Sequence, residues 1–339
     1  MGKNVEFRHD FVPASVRYSN HHQTDESLCE RNTESQSSMG SASRRAASSK
    51  SEILKCVFLF VFLFIAGVSN WAVIAYTHDF VPRQPLPDVV FSLVAEQEWA
   101  SIVGDICVAV CLALLAGCLL IHAHRFIILR RVVFIAACLY SMRSVTLAIT
   151  QLPSGYRDNE ERCREKVSSK FGVFIERLVE QTIRVGFQGK RAMLCGDLLF
   201  SGHTLVMVTC SLSIAYYLPR SIKRLQYVAH LACLVGMACM VISRTHYSID
   251  VVIAYWLSNF VFRVYHAYCE VDMCMERRKS ILYSWWPCKI IDWLEESIIP
   301  GRIENRMELP WNNSKRLEQN AVDAGEHHKQ SSSSTYPLP

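Results

Sequence analysis

Two histidines and one aspartate have the residue types and the spacing that suit phosphoryl transfer. His246 and Asp250 are four residues apart, so they share one face if this stretch is helical. The carboxylate can then keep one imidazole nitrogen protonated and leave the lone pair of the other nitrogen free for nucleophilic attack. His203 comes from a different apolar segment, and its imidazole can give a proton to a leaving oxygen and take one from an incoming hydroxyl. The three residues predict a nucleophile with a proton shuttle, which is most of what phosphoryl transfer requires.

The segments that carry these residues belong to a chain with an uneven distribution of charge. The chain has 339 residues, of which 20% are charged, and this average excludes a disordered chain, a collagen and a small disulfide scaffold. Six windows of 19 to 24 residues nevertheless contain only five charged residues between them. About 20 apolar residues are enough for a helix to cross the hydrocarbon core of a bilayer. We therefore predict an all-α polytopic membrane protein with six transmembrane helices. The windows are 53–76, 102–121, 132–152, 199–219, 225–243 and 248–268, and the five charged residues are Lys55, Asp105, Arg143, Asp250 and Arg263.

The basic residues predict the orientation of these six segments. Lys and Arg cluster before the first window, between the second and third, between the fourth and fifth, and after the sixth. Loops on the cytosolic side of a membrane carry an excess of Lys and Arg, so both termini are predicted to be cytosolic. His203, His246 and Asp250 then lie at the opposite face, which is luminal or extracellular.

The polar ends of the chain flank the predicted membrane domain of residues 51–270. Residues 1–50 are rich in serine and lack apolar periodicity, which predicts a disordered cytosolic tail. Residues 271–339 form a second cytosolic tail. Within it, 280–299 mixes tryptophans and aliphatic residues with charges, which is typical of an amphipathic helix on the membrane surface or of a helix that caps the bundle.

Cysteines are numerous but do not predict a metal site. The chain has 14 of them, and those inside the apolar windows are expected to serve as small packing residues. Cys163 and Cys195 share the third loop, where they form a disulfide if the loop faces an oxidising lumen and stay free otherwise. Because there is no CxxC pair with a histidine partner and two histidines can manage the protons, we expect neither a metal nor another cofactor.

Longer strings around these residues carry a family resemblance. Cys195-Gly-Asp-x-x-x-Ser-Gly-His-Thr204 and His246-Tyr-Ser-Ile-Asp250 resemble the two catalytic motifs of the sphingomyelin synthases, within the superfamily of type-2 phosphatidic acid phosphatases. Pro85-Leu-Pro-Asp88 is similar to the proline-rich motif of that family, with Gln84 where another proline is usual. Arg130-Arg131, with Tyr140, Arg143 and Thr150, follows the spacing of its third-span motif. The resemblance covers about residues 53–268.

The resemblance implies a reaction, substrates and a location. It implies transfer of phosphocholine from phosphatidylcholine to ceramide through a phosphohistidine, in the Golgi or the plasma membrane, with both lipids as partners. We expect no nucleic-acid partner, and the oligomeric state, including a homo-oligomer, stays open. Three alternatives also stay open: phosphatidylethanolamine as the donor, a lipid phosphate phosphatase that uses water, and a non-catalytic scaffold or transporter.

Four further residues are candidates for contact with substrate. Asp197 is expected either to orient His203 or meet the choline cation, or else to be the N-cap of the fourth span. Arg143 is expected to hold the donor phosphate or to pair with Asp105, with Tyr140 on the same helix face. Glu176 is a candidate for headgroup contact, and the alternative is a solvated helix face.

Overall fold

The computed structural model of the chain describes residues 41–167, 171–184, 193–271, 277, 280–296, 298, 301 and 303–307. Regular structure in these residues is helical, apart from two isolated bridges, His122–Met307 and Cys163–Met193. The α-helices are α1 (Ser41–Thr77), α2 (Val89–Leu93), α3 (Glu98–Ile121), α4 (Arg125–Ile149), α5 (Asn159–Arg162), α6 (Phe171–Ile183), α7 (Gly202–Tyr217), α8 (Leu225–Ile242), α9 (Ser248–Glu270) and α10 (Trp286–Glu295). Short 3₁₀ helices cover Arg220–Ile222 and Ile281–Ser284.

Four of these helices are long and apolar enough to cross a membrane: Lys50–Thr77 of α1, and the whole of α3, α4 and α8. The predicted all-helical architecture is therefore confirmed for the described residues, and four of the six predicted spans correspond to helices with the length and composition of a membrane span. Helix α7 has 16 residues, which corresponds to about 24 Å at 1.5 Å per residue and is short for a complete crossing. Helix α9 has 23 residues and carries Asp250, Arg263 and Glu270. The fourth and sixth spans remain predictions.

The structure describes only part of the two predicted tails. Helix α1 begins at Ser41, so residues 41–50, which the serine-rich composition placed in the disordered tail, are helical. Residues 41–50 contain alanine, arginine and lysine, which are good helix formers and favour extension of the helix on the N-terminal side of the first span. Residues 1–40 and 308–339 lie outside the described residues.

The described chain divides into two compact units. The larger one contains residues 56–264 and 303–307, and α3, α7 and α8 pack against one another within it while α4 packs on α7. Small side chains make this close packing possible. A Cβ atom at Gly104 would collide with Met240, and one at Gly236 would collide with Met207. Buried cysteines fill the same seam, as expected: Cys107, Cys111, Cys118, Cys210, Cys233 and Cys239.

A disulfide and a buried histidine fix the third loop of the larger unit. Cys163 and Cys195, whose pairing the sequence left open, form a disulfide with Cα atoms 5.7 Å apart. His78 follows α1 directly and is fully buried. Its Nδ1 accepts a hydrogen bond of 2.7 Å from the Cys195 N–H, and its Nε2 lies 3.2 Å from the Arg164 carbonyl oxygen. The chain is therefore held at Cys195, just before the residues that lead into α7.

The smaller unit contains residues 41–55 and the described part of 265–301. Helix α10 lies inside the predicted amphipathic segment 280–299 and buries Cys288, Ile291 and Leu294. Its polar residues bond to the end of α9, since the Tyr265 hydroxyl donates to Glu295 at 3.0 Å. Whether α10 also lies on a membrane surface stays a prediction.

Candidate active site

His246 lies in the turn that joins α8 to α9. Arg244, at the start of this turn, has a φ of 58°, a left-handed conformation that reverses the chain. Asp250 occupies the first turn of α9, so it faces His246 across the junction of turn and helix. His246 Nδ1 is 3.5 Å from Asp250 Oδ2, and the two side chains are 4% and 0% exposed. The four-residue spacing thus brings the pair together, although His246 itself precedes the helix.

Two backbone N–H groups hold the Asp250 carboxylate in place. Oδ1 accepts a hydrogen bond of 3.0 Å from Leu199, and Oδ2 accepts one of 2.9 Å from Tyr247. Two hydrogen bonds to one carboxylate fix its orientation. Leu199 adopts a φ of 101° to place its N–H there. The loop before α7 and the first turn of α9 therefore meet at one buried carboxylate.

His203 faces His246 from the first turn of α7. The two imidazole rings have centroids 6.0 Å apart and are inclined at 60°. His203 Nε2 is 3.3 Å from Oδ1 of Asp105 on α3, and these side chains are 40% and 62% exposed. Each histidine therefore has one carboxylate neighbour, and the two rings arrive from different helices.

Arg143 of α4 connects the loop before α7 to α1. Its Nε donates to the Phe200 carbonyl at 2.7 Å, and its two terminal nitrogens donate to Asn70 and Asp197. The guanidinium is buried beside Gly202, where a Cβ atom would be 3.5 Å from Arg143 Cζ. The side chain thus fixes the chain immediately before His203.

A cleft of about 790 Å³ opens beside His203. Most of its lining is apolar and comes from α1, with Phe60, Phe64 and Trp71 among the contributors. One part of the lining is polar and is formed by Asn70, Tyr140, Arg143, Gln181, Asp197 and His203. An apolar cleft with a few convergent polar groups is the usual form of a small-molecule site.

Comparisons with known proteins decide the family. Residues 194–267, which include the loop before α7 and both histidines, match the family model described as PAP2 superfamily C-terminal. The chain is 66% identical, over 87% of its length and 93% of the relative, to the Caenorhabditis elegans protein named "Putative phosphatidylcholine:ceramide cholinephosphotransferase 3". It is 34% identical to "Phosphatidylcholine:ceramide cholinephosphotransferase 2" of the same organism, over 79% of this chain and 81% of that one. The chain belongs to the phosphatidylcholine:ceramide cholinephosphotransferase family. It is therefore a phosphotransferase, as the resemblance implied.

A more distant relative is named for its relation to sphingomyelin synthase. The chain is 26% identical to the human "Sphingomyelin synthase-related protein 1", over 69% of this chain and 56% of that one.

The structure gives Arg143 and Asp197 different partners from those expected. Arg143 pairs with Asp197, whereas the sequence offered Asp105, which instead lies beside His203. The N-cap of α7 is Ser201, whose hydroxyl accepts a hydrogen bond of 3.3 Å from the Thr204 N–H. Asp197 is therefore neither the N-cap nor the carboxylate that meets His203, because its ion pair with Arg143 holds it at the wall of the cleft.

Tyr140 and Glu176 lie in different places. Tyr140 lines the cleft together with Arg143, in agreement with their spacing on one helix. Glu176 is exposed on α6 and lines a separate shallow depression with Glu180 and Arg184, so the structure does not bring it to the histidines. From the same helix, the buried Gln181 reaches the cleft instead.

Sequence reasoning missed two residues around the site, Asn70 and Gln181, and gave a third, Asp105, the wrong partner. Asp105 was visible as a charge inside an apolar window, which by default suggests a function, but its partner could not be read from spacing. Asn70 and Gln181 are uncharged and follow no motif, so the sequence contained no signal for them.

Proposed function

We propose that the protein is a sphingomyelin synthase, which transfers phosphocholine from phosphatidylcholine to the primary hydroxyl of ceramide and releases diacylglycerol. The observation that carries this proposal is the pair of facing histidines, 6.0 Å apart, beside an apolar cleft of about 790 Å³. Both substrates are lipids, and the cleft offers an apolar wall for acyl chains next to polar groups for a phosphate. The names of the two Caenorhabditis elegans relatives support the same substrates.

The reaction proceeds in two displacements. Nδ1 of His246 faces Asp250, which leaves Nε2 as the nucleophile. Nε2 attacks phosphorus, the bond from phosphorus to the diacylglycerol oxygen breaks, and His203 gives a proton to that oxygen. Ceramide then binds, its hydroxyl gives its proton to His203, and its oxygen attacks phosphorus as the bond to His246 breaks. At the end of the cycle His203 holds a proton again, as it did at the start, and phosphocholine has moved from diacylglycerol to ceramide.

The carboxylates and the arginine have separate tasks in this scheme. Asp250 orients His246 and stabilises the positive charge that the ring gains when it is phosphorylated. Asp105 orients His203 and stabilises the positive charge of its ring while it holds the proton. Arg143 keeps the loop before α7 in place, and it faces the donor phosphate at the wall of the cleft beside Tyr140. Asp197 neutralises Arg143 when no phosphate is bound.

The topology we propose has six spans, cytosolic termini and a site on the luminal or extracellular face, in the Golgi or the plasma membrane. The disulfide between Cys163 and Cys195 supports this orientation, because disulfides persist in oxidising compartments and are rare in the cytosol. The loop residues that flank α7 extend its 16 residues to the 21 of window 199–219. A protease added outside intact cells should leave the C-terminal tail uncut, and cleavage there would reverse the orientation.

One assay tests the reaction against its alternatives. Membranes that contain the protein receive fluorescent ceramide with either phosphatidylcholine or phosphatidylethanolamine, and the products are separated by chromatography. We expect a phosphocholine product from the first donor. A product only from the second donor would make the protein an ethanolamine-phosphate transferase, which is the open alternative with phosphatidylethanolamine as the donor. A separate incubation supplies phosphatidate, and release of its phosphate without any ceramide product from either donor would make the protein a phosphatase. No product in any incubation would favour a scaffold or transporter.

A matched pair of histidine variants controls this assay. His246→Ala should abolish the product. His230→Gln should keep it, because His230 is exposed on α8 and bonds only to Ser211, at 2.6 Å, among the contacts of the described residues. Equal loss in both variants would show that the assay reports damage to the membrane domain and not the proposed chemistry.

A further inference from the structure

The first outer loop contains a stiff segment that lies on the turn carrying His246. We call Pro85–Asp88 the proline strap. Pro85 and Pro87 fix their own φ angles and restrict the residues before them to extended conformations, so the strap has little freedom to bend. The only N–H group in 85–87 belongs to Leu86, and it donates to the Tyr247 hydroxyl at 2.8 Å. The Leu86 N–H, which is the one backbone donor of residues 85–87, therefore bonds to the residue next to His246.

Asp88, at the end of the proline strap, binds the first residue of α9. Its Oδ2 accepts a hydrogen bond of 2.8 Å from the Ser248 N–H, and its Oδ1 accepts one of 2.9 Å from the Ser248 hydroxyl. Oδ1 also accepts from the Val90 N–H at 2.8 Å, which makes Asp88 the N-cap of α2. A single carboxylate thus joins the first turns of two helices, and one of them holds Asp250.

Further contacts between α2 and the turn surround His246. The Phe91 ring centroid is 5.3 Å from that of Tyr247, and the Arg244 guanidinium lies over the same Phe91 ring at 5.0 Å. Arg244 also donates to the Phe91 carbonyl at 3.1 Å. A Cβ atom at Gly155 would lie 2.7 Å from the Arg244 carbonyl oxygen and 2.9 Å from the Phe91 ring, so the packing is tight. The residues on both sides of His246 are therefore held from the first outer loop.

The pKa of Asp88 agrees with a carboxylate that stays charged and keeps its hydrogen bonds to Ser248. Partial burial raises the pKa of Asp88, but the hydrogen bonds from Ser248, Val90 and Phe91 outweigh it, so the pKa lies below its ordinary value. The carboxylate is charged at neutral pH, and charge-assisted hydrogen bonds are the stronger kind.

We propose that Asp88 is a positioning residue for the proposed transfer reaction. Through Ser248 it fixes the start of α9, and with it the geometry of His246 and Asp250 relative to the reacting phosphorus. It touches neither the histidines nor the cleft in any contact of the described residues. The inference rests on the proposed function, and it adds a task for the proline strap that the two histidines and their carboxylates do not perform.

The test compares kcat and KM for ceramide in Asp88→Asn and the wild-type protein. Asparagine keeps the N-cap of α2, since it caps as well as aspartate and its one oxygen can replace Oδ1. Its amide nitrogen is a donor, so it cannot accept the hydrogen bond that Oδ2 of Asp88 receives from the Ser248 N–H. We expect kcat to fall between about tenfold and a hundredfold, because a shift of about 1 Å in a reacting group has an effect of that size. KM should stay within about twofold, because no group of the cleft has changed.

Two further variants keep the proposal testable if Asp88→Asn fails to fold. Ser248→Ala removes the hydroxyl that donates to Asp88, and Tyr247→Phe removes the hydroxyl that accepts from the Leu86 N–H. Both variants leave the N-cap of α2 intact. Each should lower kcat by roughly three- to tenfold with KM unchanged. Asp88 acts through Ser248, so the double variant with Asp88→Asn and Ser248→Ala should have a kcat little lower than that of Asp88→Asn alone. Glu160→Gln, which removes an exposed carboxylate from α5, is the matched control and should behave as wild type.

The outcomes separate this inference from the proposed function. If the wild-type protein makes no sphingophospholipid, the proposed function fails. If the wild-type protein is active and Asp88→Asn keeps its kcat within about twofold, or raises KM alone, the positioning role is wrong. Losses in Asp88→Asn and Ser248→Ala that multiply in the double variant would also overturn it.

Discussion

The two histidine–carboxylate pairs of the site differ in how firmly they are held. In the pair of His246 and Asp250 both side chains are buried, and two backbone N–H groups bind the carboxylate. In the pair of His203 and Asp105 the side chains are 40% and 62% exposed, and the carboxylate comes from a neighbouring helix. The two pairs have similar distances, 3.5 Å and 3.3 Å, between the histidine nitrogen and the carboxylate oxygen. The pairs therefore differ in environment and in the ring nitrogen that faces the carboxylate, which is Nδ1 in His246 and Nε2 in His203, but not in distance.

This difference fits the two tasks that we propose. A nucleophile must present one nitrogen along a single line, so a buried and fixed carboxylate suits it. A proton shuttle must serve first a leaving oxygen and then an incoming one, so a more open pair with freedom to adjust suits it. The comparison also predicts that the same chemical change has very different effects in the two pairs.

The largest effect is expected for Asp250→Asn. The amide can accept only one of the two backbone hydrogen bonds, which leaves a buried N–H unsatisfied, and it no longer stabilises a positive charge on His246. We expect kcat to fall by roughly a thousandfold or more, as when the orienting carboxylate of a catalytic triad is replaced by an amide. Steady-state kinetics on purified protein, with thermal stability measured alongside, check this. A folded variant with activity within about tenfold of wild type would remove Asp250 from the mechanism.

A much smaller effect is expected for Asp105→Asn, the same change in the exposed pair. Solvent-exposed ion pairs are typically worth about 0–1 kcal/mol, so we expect kcat to fall by no more than about fivefold. The same kinetic assay measures both variants. Losses of equal size at the two positions would contradict the division into a fixed pair and an adjustable one.

His78 extends the comparison to a histidine outside the active site. It is as buried as His246, but both of its ring nitrogens have hydrogen-bond partners. Nδ1 of His78 accepts from Cys195 and Nε2 faces the Arg164 carbonyl oxygen, a pattern that only the neutral ring satisfies. Burial, helped by Arg83 and Arg177, lowers the pKa of His78 to about 4. In the unfolded chain the pKa is near 6.5, so the unfolded state binds the proton first as the pH falls.

We therefore expect the stability that His78 contributes to be complete above pH 6.5 and to decline as the pH falls toward 4, by up to roughly 3 kcal/mol. His78→Gln keeps one acceptor and one donor, so its melting temperature should depend less on pH than that of wild type. Its kcat at neutral pH should stay within about twofold, because His78 is outside the reacting groups. Thermal melts of both proteins between pH 4 and 7 measure the first point, and parallel slopes would show that His78 is not the titrating group.

Sequence analysis could predict contacts between residues that are close together in the sequence. The spacing of His246 and Asp250 and the motif that ends at His203 pointed to one face of the bundle. The partners of Arg143 and His203 come from distant helices, so spacing could not assign Asp197 to the first or Asp105 to the second. Spacing could not predict the length of α7 for a related reason. Leu199, inside the predicted fourth span, bonds to Asp250 through its N–H from a loop, and α7 begins only at Gly202.

The identity of the nucleophile is the central claim, and trapping the covalent intermediate tests it most directly. Protein incubated briefly with phosphatidylcholine that is labelled in its phosphate, without ceramide, should carry acid-labile label on His246. The label should leave as sphingomyelin when ceramide is added, and it should be absent from His246→Ala. Active wild-type protein that carries no label, or carries it on His203, would contradict the account.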